Sequence, residues 1–261
     1  MRTEVVSEPG DPTHPNEDFA SVAVPASGQG GTLVVLDGVT PPKDGTGCLH
    51  SVPWYTARLG GALTELTVSL PDVPLTEALS RAITRTAESH AQTCDLSHPR
   101  TPQATVVLTR WSQETVEYLV LSDSALLVES TDGTVTALLD DRLARLPRAS
   151  LSTDAVADAT VRNKEGGFFT AAADPSVAAR AVTGVLPRGE VRALAALSDG
   201  ATRWVEKFRA GDWADCFGLV RKEGAGELVA RVRALELADT ERVFLRRGKT
   251  HDDATVVYVE L

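Results

Sequence analysis

The sequence has little of what marks a membrane-bound or secreted protein. Its 261 residues contain no uninterrupted apolar stretch long enough to cross a bilayer. The N-terminus lacks the basic segment followed by an apolar one that is typical of a secretory signal. We therefore expect a cytoplasmic protein with no membrane partner. Tandem repeats and low-complexity linkers are also lacking, which favours one domain over residues 1–261.

Cysteine is scarce, with Cys48, Cys94 and Cys216 at scattered positions. An odd number of cysteines at such spacings indicates neither a disulfide framework nor the paired spacing of a zinc site. No convincing cluster of histidine and cysteine is visible either, which disfavours zinc. We expect three reduced side chains that pack in the interior.

Positive charge is in deficit, because 26 lysines and arginines face 36 aspartates and glutamates, giving a formal net charge of −10. This balance argues against nucleic acid as a partner. Acidic side chains that are forced together are costly unless a cation neutralises them. The acidic excess is therefore compatible with a cation-binding cluster.

The hydrophobic pattern predicts strands at both ends of the chain and in the middle. Strands are predicted over residues 3–7, 19–24, 32–36, 104–111, 115–122, 125–130, 134–139, 191–197 and 254–260. Helices are predicted over residues 51–70 and 75–94, near 175–182, and in three stretches between 203 and 238.

This order of elements predicts an α+β fold in which two packed antiparallel sheets are flanked by helical pairs. The strands between residues 104 and 139 are joined by short turns and predict an antiparallel meander. Residues 140–187 are expected to be less regular. A doubly wound parallel fold is disfavoured, since no glycine-rich turn joins a first strand to a helix.

Acidic residues recur where the predicted strands begin or end. The segments are Asn16-Glu17-Asp18, Asp37-Gly38, Asp199-Gly200 and Asp252-Asp253. One Asp-Gly pair is more often a plain turn, because aspartate bonds its own backbone and glycine accepts positive φ. Four such segments together predict carboxylates held at strand ends, which suits a hard divalent cation.

These segments resemble the metal-dependent protein phosphatases, the type 2C Ser/Thr phosphatase family. The resemblance rests on six segments in family order that span nearly the whole chain: NEDFASVAV, LVVLDGV, ATVVLTRW, LSDSALLVE, LSDGAT and HDDATVVYVEL. Residues from Asn163 onward resemble an actinobacterial-type branch of the family. The resemblance implies a four-layer α-β-β-α sandwich, which agrees with the pattern of elements, and a phosphoserine or phosphothreonine protein as substrate. We expect a monomer.

The resemblance also implies two Mn²⁺ or Mg²⁺ ions at one end of the sandwich. By matching motif, Asp37 would bridge both ions and Gly38 would contribute its backbone carbonyl. Asp199 and Asp252 would ligate one ion. Oxygen ligands suit Mg²⁺ and Mn²⁺.

The remaining implied residues act less directly. Glu17 and Asp18 would act largely through metal-bound water, and catalysis is expected to depend on Asp18 together with Asp37 and Asp199. Asp123 matches the family's Gly-Asp-Ser segment and would help hold a third, weaker ion. A strand-to-strand turn explains Asp123 equally well.

The implied reaction is hydrolysis of a phosphomonoester without a covalent enzyme intermediate. Two cations that share a bridging water stabilise its deprotonated form at neutral pH, and the resulting hydroxide attacks phosphorus directly. The cations also neutralise the phosphate oxygens.

The sequence departs from the family pattern in the substrate-binding positions. The arginine that commonly precedes the motif glutamate by four residues, and grips the phosphate, is replaced by Thr13, which cannot form a bidentate, charge-assisted contact. Thr40-Pro41-Pro42 replaces a Gly-Gly pair. Val39 stands where eukaryotic members have a histidine.

Other polar residues near these segments are open to two interpretations. His14 and His251 lie beside site segments, yet nothing in the sequence directs either ring, and a structural role is favoured for both. Arg246, Arg247 and Lys249 either attract a phosphate or, as is more common, form a solvated loop.

Two competing functions stay open at this point. A pseudophosphatase that recognises phosphoproteins without turnover is favoured by Thr13 and the altered loop, whereas the retained acids count against it. An enzyme that acts on a small phosphate ester is the other alternative.

Overall fold

The computed structural model describes residues 1–41, 45–245 and 249–261. The strands are β1 (Thr3–Glu8), β2 (Phe19–Ala23), β3 (Gly31–Leu36), β4 (Val106–Trp111), β5 (Thr115–Leu121), β6 (Ala125–Ser130), β7 (Val135–Leu139), β8 (Val182–Pro187), β9 (Val191–Leu197) and β10 (Ala254–Glu260). The helices are α1 (Val52–Ser69), α2 (Leu75–Glu88), α3 (Arg142–Arg145), α4 (Asp154–Thr160), α5 (Asp199–Glu206), α6 (Trp213–Glu223) and α7 (Ala225–Ala238).

The strands form two antiparallel sheets of five strands each. One sheet has the order β1-β10-β9-β6-β7 and the other has the order β2-β3-β4-β5-β8. Side chains alternate between the two faces of a strand, so β3 directs Leu33 and Val35 toward the opposite sheet and Val34 and Leu36 toward helices. A central strand covered on both faces is therefore mainly apolar, as β3 is from Leu33 to Leu36.

Helices cover the outer face of each sheet. Helices α1 and α2 pack on the sheet that contains β3, and α5, α6 and α7 pack on the sheet that contains β9. Helix α1 begins at a serine N-cap, since the amide of Trp54 donates to Oγ of Ser51 at 3.3 Å and Pro53 occupies the first turn. The predicted four-layer α-β-β-α sandwich is confirmed.

The predicted meander over residues 104–139 is wrong. Strands β4 and β5 pair in one sheet, whereas β6 and β7 pair in the other. The chain crosses between the sheets at residues 122–124, and Ser122 adopts a φ of 70° there. Short links between apolar strands look alike in sequence whether the next strand continues a sheet or starts its partner, and the crossing sets Asp123 at one end of the sandwich.

One helix boundary and one strand differ from the sequence-based expectation. Helix α2 ends at Glu88 rather than near Cys94, because amides such as that of His90 bond the carbonyl three residues back instead of four. The region 140–187 also contains strand β8, which lies at a sheet edge and pairs with β5. Its alternately half-buried and exposed residues, with Gly184 and Pro187, gave no strong strand signal.

A 3₁₀ helix at Pro175–Arg180 corresponds to the short helix expected near residues 175–182. Within the described ranges, no helix combines the length and the apolar character needed to cross a bilayer. The assignment of residues 1–261 to one domain stays a prediction.

Candidate metal centre

Asp37 follows the last residue of strand β3 and lies at one end of the sandwich, next to residues from the other sheet. The amide of Thr105 donates to the carbonyl of Asp37 at 2.9 Å, and the amide of Asp37 donates to Oγ1 of Thr105 at 3.2 Å. The amide of Val39 donates to the carbonyl of Gln103 at 2.9 Å, so the chain stays paired beyond the formal end of the strand. The backbone of Asp37 and Gly38 is therefore fixed while the carboxylate is directed into the site.

Asp199 approaches from the other sheet. It follows β9 directly and begins helix α5, and its amide donates to Oδ2 of Asp37 at 3.1 Å. A carboxylate in the first turn of a helix is favourably placed relative to the helix dipole. The contact between these two residues is a direct link between the two sheets at the site.

Asp252 is held by two cations just before strand β10. Its Oδ2 accepts from Nη2 of Arg203 at 2.7 Å, and its Oδ1 accepts from Nζ of Lys249 at 2.8 Å. Arg203 is a buried residue of α5 that also donates to Oε1 of Glu236 at 2.6 Å. Arg203 was not predicted from the sequence, although an arginine four residues after Asp199, in a helix that buries its neighbours, was a usable signal.

The two residues of the Asp252-Asp253 pair have different contacts. Asp253 accepts from the amide of Gly10 at 2.8 Å and from the amide of Glu17 at 2.7 Å, so it fixes the backbone of the acidic N-terminal segment. Glu17 accepts from Oγ1 of Thr40 and lies 3.7 Å from Nζ of Lys249. Direct hydrogen bonds thus join the four acidic segments in two pairs, Asp37 with Asp199 and Glu17 with Asp253.

Asp18 lies beside this cluster with both carboxylate oxygens buried and, among the described residues, without a hydrogen-bond partner. The hydroxyls of Ser198 and Thr255 are neighbouring donors that partly offset the effect of burial on the pKa of Asp18. The amide of Thr255 donates to Oγ of Ser198 at 2.9 Å, and Oγ1 of Thr255 pairs with Oγ of Ser7 at 2.7 Å. Two buried carboxylate oxygens without a geometric partner have lone pairs that fit a cation.

Asp123 lies at the crossing between β5 and β6. The amide of Ser122 donates to Oδ2 of Asp140 at 2.8 Å, and Arg142 holds that buried carboxylate through Nε at 2.7 Å and Nη2 at 2.6 Å. Oγ of Ser122 donates to Oδ1 of Asp123 at 3.1 Å. The turn that contains Asp123 is therefore fixed by Asp140 and Arg142. Asp123 faces the same cavity as Asp37.

Burial and mutual repulsion disfavour the charged forms of these acids. Burial, followed by the charges of Asp199 and Asp18, raises the pKa of Asp37 well above its ordinary value. Burial and then the charge of Asp252 raise the pKa of Asp199 to about 8, and burial raises that of Asp18 to about 7. Burial is also the main cause that raises the pKa of Asp123. Such a set of oxygen donors fits a hard divalent cation, whose charge would offset the repulsion.

The glycines of both Asp-Gly pairs are required by space rather than by backbone conformation. Neither Gly38 nor Gly200 has positive φ. A Cβ on Gly38 would lie 2.5 Å from the carbonyl oxygen of Glu17, and one on Gly200 would lie 2.0 Å from that of Asp253. The turn explanation for these pairs is therefore wrong, because each glycine lets an acidic segment approach another closely.

The acids face a cavity of about 700 Å³ at the end of the sandwich. Its acidic lining includes Asp37, Asp123, Asp199 and Asp252, and its basic lining includes Arg148, Arg162, Lys207 and Lys249. A cavity that combines clustered carboxylates with surrounding cations is suited to an anionic ligand held next to bound metal ions.

The histidines named from the sequence are placed outside the acidic cluster. Nδ1 of His14 lies 3.0 Å from Oδ2 of Asp11 in an exposed turn, and Nδ1 of His251 lies 2.9 Å from the buried Oε2 of Glu236. Lys249 contacts two site carboxylates, which contradicts its assignment to a solvated loop. Arg246 and Arg247 lie outside the described residues, as does Pro42.

The expectation that all three cysteines are isolated packing residues is wrong for two of them. Cys216 is buried between helices and sheet, as expected. Cys48 and Cys94 instead lie with their sulfurs at bonding distance from one another, beside the imidazoles of His50 and His90. The sequence did not reveal this group, because its two halves are more than 40 residues apart.

The family model for protein phosphatase 2C matches residues 13–233. The chain belongs to the protein phosphatase 2C family. A comparison with curated proteins finds no match.

Solved structures of phosphatases share the fold of this phosphatase 2C family member. They include the serine/threonine phosphatase Stp1 from Staphylococcus aureus, at 13% identity and a TM-score of 0.62, with 100% of this chain and 95% of that chain covered. The serine-threonine phosphatase 2C from Toxoplasma gondii gives 15% identity, a TM-score of 0.64 and coverage of 99% and 94%. The serine/threonine phosphatase PstP/Ppp from Mycobacterium tuberculosis is 19% identical, with a TM-score of 0.57. The alignment covers 100% of this chain and 98% of that chain.

In this phosphatase 2C family member, Thr13 is engaged within its own turn. The amide and Oγ1 of Thr13 both donate to Oδ1 of Asp11, at 2.8 and 2.7 Å, so the residue closes its own turn. Lys249 is the cation that contacts the acidic segments on the side of Glu17. Among the residues that the structure describes, Lys249 and the other basic residues of the cavity are the cations placed to contact an anion here.

Proposed function

We propose that this chain is a Mn²⁺- or Mg²⁺-dependent phosphatase that hydrolyses phosphoserine and phosphothreonine in proteins. The observation that supports the proposal is the convergence of Asp37, Asp199 and Asp252 from both sheets on one cavity, beside the unpartnered carboxylate of Asp18. A structure that buries these acids together, and lines the rest of the cavity with cations, is poorly explained by a role without metal and phosphate.

In this proposal Asp37 would be a ligand of both metal ions and the carbonyl of Gly38 a ligand of one of them. Asp199 and Asp252 would also be ligands, and Glu17 and Asp18 would act through coordinated water. Asp123 contributes to a third, weaker position. Metal ions bound by these residues would lower the pKa of a coordinated water and neutralise phosphate charge.

The protein's own contribution is to hold the carboxylates in position before a substrate binds. Asp199 is aligned by the hydrogen bond between its amide and Asp37, and Asp252 is aligned by Arg203. Oδ1 of Asp252 accepts from Nζ of Lys249 and from the amide of Asp253, whereas Oδ2 accepts from Arg203, which leaves a lone pair on Oδ2 for a cation. Such preorganisation lowers the cost of ordering the site during the reaction.

Lys249 is proposed as the residue that contacts the substrate phosphate in place of the family arginine. Its ammonium lies between Asp252 and Glu17 at the border of the cavity, and its side chain is 41% exposed. When metal ions take over the charge of these carboxylates, the ammonium becomes available to a phosphate oxygen. A lysine binds phosphate as a point charge and lacks the bidentate geometry of arginine.

The test is hydrolysis of a phosphothreonine peptide and an aryl phosphate with and without Mn²⁺. Wild type should be active only with the metal, and Asp37→Ala and Asp199→Asn should each reduce kcat by about a hundredfold or more. Asp132→Asn, in the exposed turn between β6 and β7, is the matched control and should not change the rate.

Metal binding measured by calorimetry separates the two parts of the proposal. Wild type that binds Mn²⁺ tightly but hydrolyses neither substrate would refute the catalytic function and leave a metal-dependent binding protein. Activity that is unchanged in Asp199→Asn would refute the assignment of this cavity as the site. Activity toward the aryl phosphate alone would refute a protein substrate.

A further inference from the structure

A second group of metal-ligating side chains lies away from the acidic cavity, at the ends of helices α1 and α2. Cys48 and His50 precede α1, and His90 and Cys94 follow α2. One ligand atom from each of the four lies within 4.8 Å of all the others. In sequence the halves read Cys-x-His and His-x-x-x-Cys, so each half supplies one sulfur and one imidazole.

Three nitrogen-to-sulfur distances within the group match those of a tetrahedral zinc site, whereas the two sulfurs lie at bonding distance and would have to separate to bind the ion. Nδ1 of His50 lies 3.4 Å from Sγ of Cys94 and 3.6 Å from Sγ of Cys48, and Nδ1 of His90 lies 3.3 Å from Sγ of Cys48. Zn–S bonds of about 2.3 Å and Zn–N bonds of about 2.0 Å at tetrahedral angles separate nitrogen and sulfur by about 3.5 Å.

We propose that Cys48, His50, His90 and Cys94 bind a structural Zn²⁺ ion through two thiolates and two Nδ1 atoms. Four protein ligands leave no position for substrate, which is typical of structural rather than catalytic zinc. Binding releases the two thiol protons to solvent and involves no oxidation or reduction.

The surroundings of the sulfurs favour thiolates. The amide of Leu49 donates to Sγ of Cys94 at 3.3 Å, and the amide of His50 donates to Sγ of Cys48 at 3.4 Å. Backbone donors of this kind stabilise negative charge on a ligand and fix its orientation. The proposed ion therefore has both its first ligands and part of their hydrogen-bonded support in place.

The imidazoles are held by packing as well. The ring of Trp54 stacks on His50 with centroids 3.9 Å apart and lies 5.3 Å from the ring of His90. His90 is 2% exposed, so water has little access to that side of the group. The amide of Asp95 donates to the carbonyl of Gly47 at 2.7 Å and joins the two ligand-bearing segments directly.

The alternative is a disulfide between Cys48 and Cys94, whose sulfurs are close enough to bond. A disulfide would make no use of two imidazole nitrogens directed at the same sulfurs, because sulfur is a weak hydrogen-bond acceptor. A zinc ion uses all four donors. The coincidence of two histidines with two cysteines is what favours the metal.

The proposed ion would stabilise the loop that connects the acidic site to α1. That loop begins after Gly38, and its carbonyl at Thr40 accepts from Nη2 of Arg100 at 2.9 Å. Its other end carries Cys48 and His50, so zinc would tie it to the residues after α2. We expect zinc to stabilise the helical layer without taking part in the reaction.

The experiment measures metal content and thiols in the full chain, expressed in zinc-supplemented medium and purified without chelators under mild reducing conditions. We expect one zinc ion per chain, and three reactive thiols in denaturant, since all three cysteines would be reduced. Replacement of zinc by Co²⁺ should give the visible absorption bands of tetrahedral thiolate coordination, a readout that needs no variant.

Two variants locate the ion. Cys48→Ser should lose the zinc and the cobalt bands and lower Tm, whereas Asp199→Asn should keep both, because the acidic centre is a separate site. Cys216→Ala is the matched cysteine control and should keep the metal.

Two results would overturn the proposal. One reactive thiol, a mass lower by two hydrogen atoms and no zinc would establish the disulfide instead. Three reactive thiols with no zinc and no cobalt bands would show that the group binds no metal.

Discussion

The contact between Arg203 and Asp252 offers a quantitative test of how the site is supported. Arg203 is 8% exposed by side chain, and its guanidinium donates to Oε1 of Glu236 at 2.6 Å and to Oδ2 of Asp252 at 2.7 Å. Glu236 is fully buried. Replacing Arg203 by methionine keeps much of the side-chain volume and removes the charge, so two acids lose a partner at once.

The expected cost follows from which partners remain. Breaking a buried ion pair costs about 3–5 kcal/mol when the other charge is left uncompensated. Here Glu236 keeps Nη1 of Arg233 at 2.8 Å, and Asp252 keeps Nζ of Lys249 at 2.8 Å. We therefore expect Arg203→Met to lower the free energy of unfolding by about 3 kcal/mol, the lower end of that range.

Urea denaturation of the metal-free protein at neutral pH measures this loss. The matched control is Arg231→Met, on helix α7, which removes two ion pairs to Glu223 and Glu227 that are exposed to solvent. Its effect should be much smaller, because water screens these pairs. The reasoning is refuted if Arg203→Met is as stable as wild type or loses no more stability than Arg231→Met.

Three further predictions concern the same site. Because the folded-state pKa values of Asp18 and Asp199 lie near 7 and 8, above their unfolded values, the protons they hold stabilise the metal-free fold fully below about pH 4 and are lost as pH rises to about 8; urea denaturation should show this fall, and a flat profile would contradict it. Lys249→Ala should raise KM for a phosphopeptide by about tenfold with little change in kcat, and Lys249→Arg should retain binding; equal KM values in all three proteins would exclude a phosphate contact. Ser122→Gly should raise the free energy of unfolding by up to about 1 kcal/mol because φ is 70°, and Ser122→Val should lower it; a less stable glycine variant in thermal melts would show that the Ser122 hydroxyl matters more than the backbone.

Much of the architecture was predictable because its signals are local. Strand β3 ends in a continuous apolar run followed by Asp37-Gly38, β4 to β7 are rich in apolar and β-branched residues, and α1 carries a serine cap and an early proline. The acidic residues at strand ends were visible for the same reason. Where strand ends lie at one end of a sandwich, side chains far apart in sequence meet, and the contact between Asp37 and Asp199 is an example.

The features that the sequence did not predict depend on long-range placement. Whether β5 and β6 share a sheet is decided by the backbone at Ser122, whose hydroxyl and bulk give no hint of positive φ. The partnership of Arg203 with Glu236 joins two helices, and neither residue stands out in its own segment. Strand β8 is defined by its pairing with β5 rather than by strong apolar periodicity.

The cysteine and histidine group shows why spacing alone was misleading. Each half offers one sulfur and one nitrogen, so neither contains the repeated cysteine pair by which zinc sites are usually detected. The fold supplies the missing proximity, because α1 and α2 are antiparallel neighbours and the start of one lies beside the end of the other. A ligand set split between two helix ends becomes visible only when the pairing of those helices is known.

The acidic centre and the cysteine and histidine group differ in donor chemistry. We therefore expect that these two proposed metal sites do not compete for the same ion. The acidic cavity offers carboxylate and carbonyl oxygens, which suit Mn²⁺ and Mg²⁺, whereas the group at the helix ends offers sulfur and imidazole, which suit zinc. The loop from Gly38 to His50 connects them in sequence. Loss of zinc should therefore loosen this loop and weaken the position of Thr40 beside Glu17, while the carboxylates of Asp37 and Asp199 stay fixed by their strands.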